Sequence, residues 1–173
     1  HALSDLCAEA LARAIRYGQL QALEMLNLDH NDIGDVGATA LAEAIRGAPR
    51  LEHLGLAANR IRDSGASRLA DAIGVDGGAT ALRRLDLYSN EIGDGGADAL
   101  GAALDGRNRP RWGGGGAAEF LEVTLFGNPV SASMIAGSSV IRAICCPRPA
   151  TSVRVVRPMS GSPRSAARTA PEM

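Results

Sequence analysis

Residues 23–45 read LEMLNLDHNDIGDVGATALAEAI and align without gaps with residues 51–73, LEHLGLAANRIRDSGASRLADAI, and residues 82–104, LRRLDLYSNEIGDGGADALGAAL. Each segment contains LxxLxLxxN, and its Asn residues follow one another at intervals of 28 and 31 residues. A unit that repeats at such a period completes its core against its neighbours, so the sequence predicts a solenoid.

The order of residues within each unit predicts a strand, a turn and a helix. The alternating Leu residues of LxLxx form the inward face of a short strand, and the Leu and Ile residues after the Asn are spaced by four, as on one face of a helix. An acidic residue precedes each helical stretch, and we predict that it caps the helix N-terminus. The predicted capping residues are Asp35, Asp63 and Asp94.

The Asn of each unit is predicted to be structural. An inward-turned amide can bond to backbone groups of its own loop and of the neighbouring turn, and losing such a partner typically costs about 1–3 kcal/mol. The predicted Asn ladder consists of Asn31, Asn59, Asn90 and Asn128.

An incomplete unit precedes the three regular ones. ALARAIR at residues 10–16 aligns with ALAEAIR at residues 40–46, and this alignment places His1 at the Asn position. We therefore expect a partial first unit over residues 1–22, which begins mid-repeat with its strand missing.

A degenerate unit follows the regular ones. FLEVTLFGN at residues 120–128 predicts a fourth strand, but Ser138 and Arg142 then occupy the positions of the helical Leu and Ile. The helix of this unit is therefore expected to be shifted or lost, and we place the end of the repeat domain at residue 145, so that the domain covers residues 1–145.

Two further segments depart from the repeat. Residues 105–118 form a Gly-rich insertion that is either a plain loop or a grip for an acidic or phosphorylated partner. Its candidate binding residues are Arg107, Arg109, Arg111 and Trp112. Residues 146–173 are rich in Pro, Ser and Arg and poor in large apolar residues, which predicts a disordered basic tail.

Composition excludes several classes of function. Because 46% of the residues are hydrophobic, the chain can build a core. Its net charge of −1 provides no overall electrostatic attraction for nucleic acid or for a membrane surface. Cys7, Cys145 and Cys146 make neither a disulfide framework nor a zinc motif, so an intracellular, cytoplasmic setting without metal or cofactor is expected. No nucleophile motif accompanies His30 or His53, which predicts that the protein is not an enzyme.

The strings LxLxxN and NxIGDxGAxALAxAI resemble the ribonuclease-inhibitor-like class of leucine-rich repeats. That class includes ribonuclease inhibitor, the repeat regions of NOD-like receptors and the GTPase-activating protein for Ran. The resemblance covers residues 3–128. It implies an α/β horseshoe, with parallel strands on the concave face and helices on the convex face.

In that geometry the outward strand residues form ladders across neighbouring units. The predicted ladders are Met25, His53, Arg84 and Glu122; Asn27, Gly55, Asp86 and Thr124; and Asp29, Ala57, Tyr88 and Phe126. All of these except Gly55 and Ala57 are candidate partner-binding residues. Tyr88 beside Phe126 is the predicted anchor, because aromatic residues dominate interface hot spots. The alternative is that these positions are merely solvated.

The sequence leaves three functional hypotheses open. The first is a non-catalytic scaffold that binds another protein, as part of a larger sensor or regulator. The second is an activator of a small GTPase that resembles the Ran-specific one, although the tail here is basic and that family has an acidic C-terminal region. The third is an incomplete fragment without independent function.

Overall fold

The computed structural model describes residues 2–74, 79, 81–107 and 121–137. Helices and strands alternate along them in the order α1 Asp5–Arg16, β1 Met25–Asn27, α2 Asp35–Ile45, β2 His53–Gly55, α3 Asp63–Ile73, β3 Arg84–Asp86, α4 Asp94–Arg107, β4 Glu122–Thr124 and α5 Ala132–Gly137. The strands pair in parallel in the order β1-β2-β3-β4. The predicted solenoid of alternating strands and helices, with one open sheet, is confirmed.

The core lies between the sheet and the row of helices. The Leu residues at the centres of β2 and β3, Leu54 and Leu85, are buried, as are the Ile residues that follow each Asn, Ile33, Ile61 and Ile92. Small residues on the helices, such as Ala38 and Ala66, are also completely buried and let neighbouring helices approach closely. None of the described helices is long and apolar enough to span a membrane.

Both flanking units are present in part. The helix of the first unit is α1, whereas β1 belongs to the second unit and no earlier strand lies in the described residues. Helix α5 begins at Ala132, four residues after Asn128, in register with the regular units. Ser138 and Arg142, on which the predicted irregularity rests, lie outside the described residues.

The Asn residues of the predicted ladder make hydrogen bonds both within their own unit and to the preceding unit. Asn59, only 6% exposed, donates through Nδ2 to the carbonyl oxygens of Leu28, Leu56 and Ala57, and its Oδ1 accepts from the backbone N–H of Ile33 at 3.0 Å. Equivalent bonds link Asn31, Asn90 and Asn128 to their surroundings. Each amide therefore joins its own turn to a turn of the preceding unit.

The predicted N-caps are wrong in one respect: each Asp caps the helix of the next unit, not its own. Asp35 is the first residue of α2, and its Oδ1 accepts from the N–H groups of Arg62 at 2.8 Å and Gly65 at 3.0 Å, at the start of α3. Asp63 and Asp94 likewise accept from Gly93 and Ser131. A residue already inside the helix projects its side chain away from its own first N–H groups, so its carboxylate reaches the neighbouring helix instead.

The same contact explains the Gly two residues after each Asp. A Cβ on Gly65 would lie 2.7 Å from Asp35 Oδ1, 3.0 Å from Ile61 Cγ2 and 3.1 Å from Ala38 Cβ. Gly37 and Gly96 meet equivalent neighbours at similarly short distances. The glycine therefore leaves room for the carboxylate of the preceding unit.

Removing the amide of Asn59 should destabilise the fold far more than removing an exposed amide. We expect Asn59→Ala to lower the free energy of unfolding by about 3 kcal/mol, because it leaves buried N–H and C=O groups of two units without partners. The measurement is urea unfolding followed by circular dichroism. The control is Asn27→Ala, at an exposed amide that accepts from the N–H of Asp29, with an expected loss of under about 1 kcal/mol. Equal losses in the two variants would contradict the ladder role.

A methyl group at Gly65 should be costly for steric reasons alone. We expect Gly65→Ala to lower the free energy of unfolding by about 2 kcal/mol, because Asp35, Ile61 or the helix itself must move. Gly47→Ala is the matched control, since the nearest atom to its new Cβ would be the carbonyl oxygen of Ala44 at 3.5 Å. If both variants unfold at the same urea concentration, the helix starts are not packed as described.

The Asp35 contact should make stability depend on pH. Burial alone would raise the pKa of Asp35, but hydrogen bonds from the Ser64 hydroxyl and from the Arg62 and Gly65 amides, with the charge of Arg62, lower it below its ordinary value. A lowered folded-state pKa contributes stability that is fully present above the unfolded pKa of about 3.9 and is lost as the pH falls through the folded pKa.

We therefore expect the free energy of unfolding of the native protein to fall more steeply below about pH 5 than that of Asp35→Asn, which has no carboxyl to protonate. Ser64→Ala removes one donor to the carboxylate and should reduce the steepness in part. Urea unfolding at a series of acidic pH values measures both effects. Parallel pH profiles for the native protein and Asp35→Asn would show that this carboxylate does not couple to folding.

Candidate functional site

The outward residues of the four strands lie side by side on one surface, which we call the concave face. Strand pairing aligns Met25, His53, Arg84 and Glu122 in one row and Asn27, Gly55, Asp86 and Thr124 in a second row. A third row, two residues further along each unit, contains Asp29, Ala57, Tyr88 and Phe126. The strands thus bring together the residues of the predicted ladders. Their role in binding stays a prediction.

The third row contains an exposed pair of aromatic side chains. Tyr88 is 42% exposed and Phe126 is 47% exposed, and their rings stack with centroids 5.8 Å apart and an angle of 20° between the planes. Aromatic rings at this separation attract each other by roughly 0.5–1.5 kcal/mol beyond the area that they bury. The two rings therefore present a preformed apolar surface, which we call the aromatic pair.

A tight turn after each strand fixes the position of the third row. The residue that precedes the Asn has a positive φ in every regular unit and in the last one: His30, Ala58, Ser89 and Gly127. At Gly127, with φ of +83°, a Cβ would also lie 3.4 Å from Cε2 of Tyr88. The glycine therefore satisfies the left-handed turn, and a Cβ there would approach the backbone N of Ser89 even more closely, at 3.2 Å.

The polar residues of the face are held by local bonds. Arg84 pairs with Glu122 at 3.2 Å, with both side chains more than half exposed, so the pair contributes little to stability. Oδ1 of Asn27 accepts from the N–H of Asp29, and Oδ1 of Asp86 accepts in the same way from the N–H of Tyr88. Met25 at the edge of the sheet is 64% exposed, and Thr124 is half-buried.

One contact on this face involves Gly55, which the sequence-based list of binding residues omits. A Cβ on Gly55 would lie 2.8 Å from Asp29 Oδ1 and 3.1 Å from Oδ2, so the carboxylate of Asp29 occupies the space of the absent side chain. The same Oδ1 accepts from the N–H of Ala57 at 2.7 Å. The only signal in the sequence is that Gly55 replaces the polar residues found at this position in the other units.

The predicted Arg-rich grip is not assembled by the described residues. Arg107 is the last residue of α4, so the helix continues three residues into the predicted insertion. Arg109, Arg111 and Trp112, like residues 146–173 of the predicted tail, lie outside the described residues. Within the described part of the chain, no three His, Cys, Asp or Glu side chains are grouped as metal ligands.

Comparison with known proteins agrees with this architecture. Residues 19–42 and 78–101 match a family model described as Leucine Rich repeat. These two segments of the chain match a leucine-rich repeat. A solved structure titled "Leiomodin-1 Actin-Binding Site 2 (ABS2)" superposes on this chain with a TM-score of 0.58 and 17% sequence identity, over 79% of this chain and 71% of that chain. At this identity the likeness shows the fold alone. No curated protein matches the sequence.

Proposed function

We propose that this leucine-rich-repeat protein is a non-catalytic scaffold that binds another protein on its concave face, with the aromatic pair as the anchor. The observation that carries the proposal is the exposed stack of Tyr88 on Phe126. An aromatic side chain that becomes buried on binding, with polar groups around it, commonly supplies a large part of the binding energy of a protein interface.

The surroundings of the aromatic pair support a protein partner. The small side chain of Ala57, which follows β2, lies low beside Tyr88 in the third row, while Arg84 on β3 and Glu122 on β4 supply polar groups on the same face. Four parallel strands hold these groups in a fixed array, which limits the entropy lost on binding. Leucine-rich-repeat domains generally bind proteins on such surfaces.

We also propose that the protein belongs to the ribonuclease-inhibitor-like subclass and acts inside the cell. The motif NxIGDxGAxALAxAI supports the subclass, and a cysteine pattern unsuited to disulfides supports the compartment. Actin is one defined candidate partner, because the structural neighbour is named for an actin-binding site. The GTPase-activator hypothesis stays a separate prediction, which GTP hydrolysis by a panel of small GTPases would test.

Removing the aromatic pair should abolish partner binding without unfolding the protein. With the full chain as bait in a cell lysate, we expect Tyr88→Ala/Phe126→Ala to lose specifically captured proteins, actin included if actin binds. Loss of an aromatic anchor costs about 2 kcal/mol or more, which weakens affinity roughly 30-fold. Captured proteins are quantified by mass spectrometry, and affinity is then measured with the purified partner.

The matched control removes equally exposed apolar groups elsewhere. Leu6 and Tyr17 of the first unit are 76% and 77% exposed, so Leu6→Ala/Tyr17→Ala deletes a similar surface away from the concave face. We expect this variant to capture the same proteins as the native chain. Circular dichroism of both variants checks that they are folded. Binding that survives loss of the aromatic pair but not loss of Leu6 and Tyr17 would place the partner elsewhere and overturn the proposal.

A further inference from the structure

Two carboxylates lie beside the aromatic pair. Asp29, in the third row, extends over Gly55 on β2, because its Oδ1 would lie 2.8 Å from a Cβ on Gly55. Gly55 pairs with Asp86 of β3 in the sheet register. Since neighbouring strands are about 4.8 Å apart, the carboxylate of Asp29 lies one strand spacing from Asp86.

Both carboxylates accept from backbone N–H groups of the third row. Asp29 Oδ1 accepts from the N–H of Ala57, and Asp86 Oδ1 accepts from the N–H of Tyr88. Each bond is made to the residue that belongs to the third row. The two acidic groups are therefore held at neighbouring residues of the third row, beside the exposed ring of Tyr88, and we call the surface formed by Asp29, Asp86 and Tyr88 the acidic slot.

Within the part of the chain that the structure describes, no Arg or His pairs with Asp29 or Asp86. The nearest guanidinium on the face, that of Arg84, lies in the first row and pairs with Glu122 on the opposite side. His53 lies two residues before Gly55, also in the first row. The acidic slot therefore has an excess of negative charge next to an exposed aromatic face.

We propose that the acidic slot binds an arginine side chain of the protein partner. This inference rests on the proposed function and names the chemistry that the concave face recognises. A guanidinium is planar, stacks on an aromatic face and donates several N–H groups in one plane, so it can lie on Tyr88 while it bonds to both carboxylates. The charge of the partner group complements that of the slot, and the ring supplies an attraction that a simple ion would not use.

The experiment titrates full-length, ¹⁵N-labelled protein with N-acetyl-arginine amide at millimolar concentrations, followed by NMR. The comparison probe is N-acetyl-citrulline amide, which has the same shape without the charge. We expect the arginine probe, and not the citrulline probe, to shift the amide resonances of Ala57, Ala58 and Tyr88. A titration without shifts, or equal shifts with both probes, overturns the proposal.

The variant Asp29→Asn/Asp86→Asn removes both charges and keeps oxygen acceptors for the two backbone bonds. Asn27 already makes the corresponding bond elsewhere in the chain, so the fold should tolerate this change. We expect the shifts to fall at least about threefold, since charge-assisted bonds are roughly twice as strong as neutral ones. Tyr88→Phe should retain binding because it keeps the ring face, whereas Tyr88→Ala should lose it.

The matched control, Glu43→Gln/Asp71→Asn, removes two charges from exposed helix positions and should leave the titration unchanged. Shifts that persist in Asp29→Asn/Asp86→Asn overturn the proposal. The proposal is also overturned if the amide resonances of Ala57, Ala58 and Tyr88 shift when the protein is diluted without any probe, because that would identify a second copy of the chain as the occupant. Changes in the resonances of residues 142–168 in Asp29→Asn/Asp86→Asn would identify arginines of the chain itself as the occupant of the slot, and would also overturn the proposal.

This outcome can be separated from that of the proposed function. If arginine does not bind but capture of a partner still requires Tyr88 and Phe126, only the acidic slot is wrong. If capture does not require the aromatic pair, the concave-face proposal fails whatever the arginine titration shows.

Discussion

The fold depends on polar side chains that reach from one unit to satisfy the backbone of another. The first N–H groups of an α-helix have no partner within the helix, and the carboxylate of Asp35 supplies one for α3 from the neighbouring unit. Asn59 reaches in the opposite direction, to the N–H of Ile33 and the carbonyl of Leu28. Each regular unit is therefore completed by its neighbours in hydrogen bonding as well as in apolar burial.

These bonds also fix what lies on the concave face. A turn held by its Asn cannot slide along the next turn, so the strands keep one register and the outward residues fall into rows. The inward positions of each unit are therefore fixed by packing. The outward positions are free to differ, and it is there that His53, Arg84 and Glu122 share one row. Positions that pack the core and positions that face outward thus alternate along the same short strand.

Much of this could be predicted from the sequence, because periodicity reports directly which residues face inward. The alternation of Leu54 and Leu56 predicts the strand face, and the constant position of the Asn, three residues after the last Leu of each strand segment, predicts its role at the turn. The capping partners could not be predicted in this way. Spacing along the chain shows that Asp35 starts a helix, but the choice between its own N–H groups and those of α3 depends on the distance between units.

The site shows the same division. Alternation identified the rows and the exposed pair of Tyr88 and Phe126, whereas the contact of Asp29 with the space above Gly55 depends on how a side chain crosses between strands. Nor could the sequence locate the end of α4, since Asp105 to Arg107 have no apolar residue to mark a helical face. The repeat period alone therefore predicts which residues share this face, but not which atoms they contact.

The last unit shows that the capping Asp and the glycine act together. Where Gly65 leaves room, Asp35 accepts from two N–H groups at the start of the next helix. In the last unit Met134 occupies the position of that glycine, and Asp94 accepts from the N–H of Ser131 at 2.6 Å. The N–H of Met134 instead donates to the hydroxyl of Ser131, so a local cap supplies the bond that the carboxylate makes elsewhere. A side chain at the glycine position thus changes how the helix start is satisfied, while β4 keeps its register and Phe126 remains beside Tyr88.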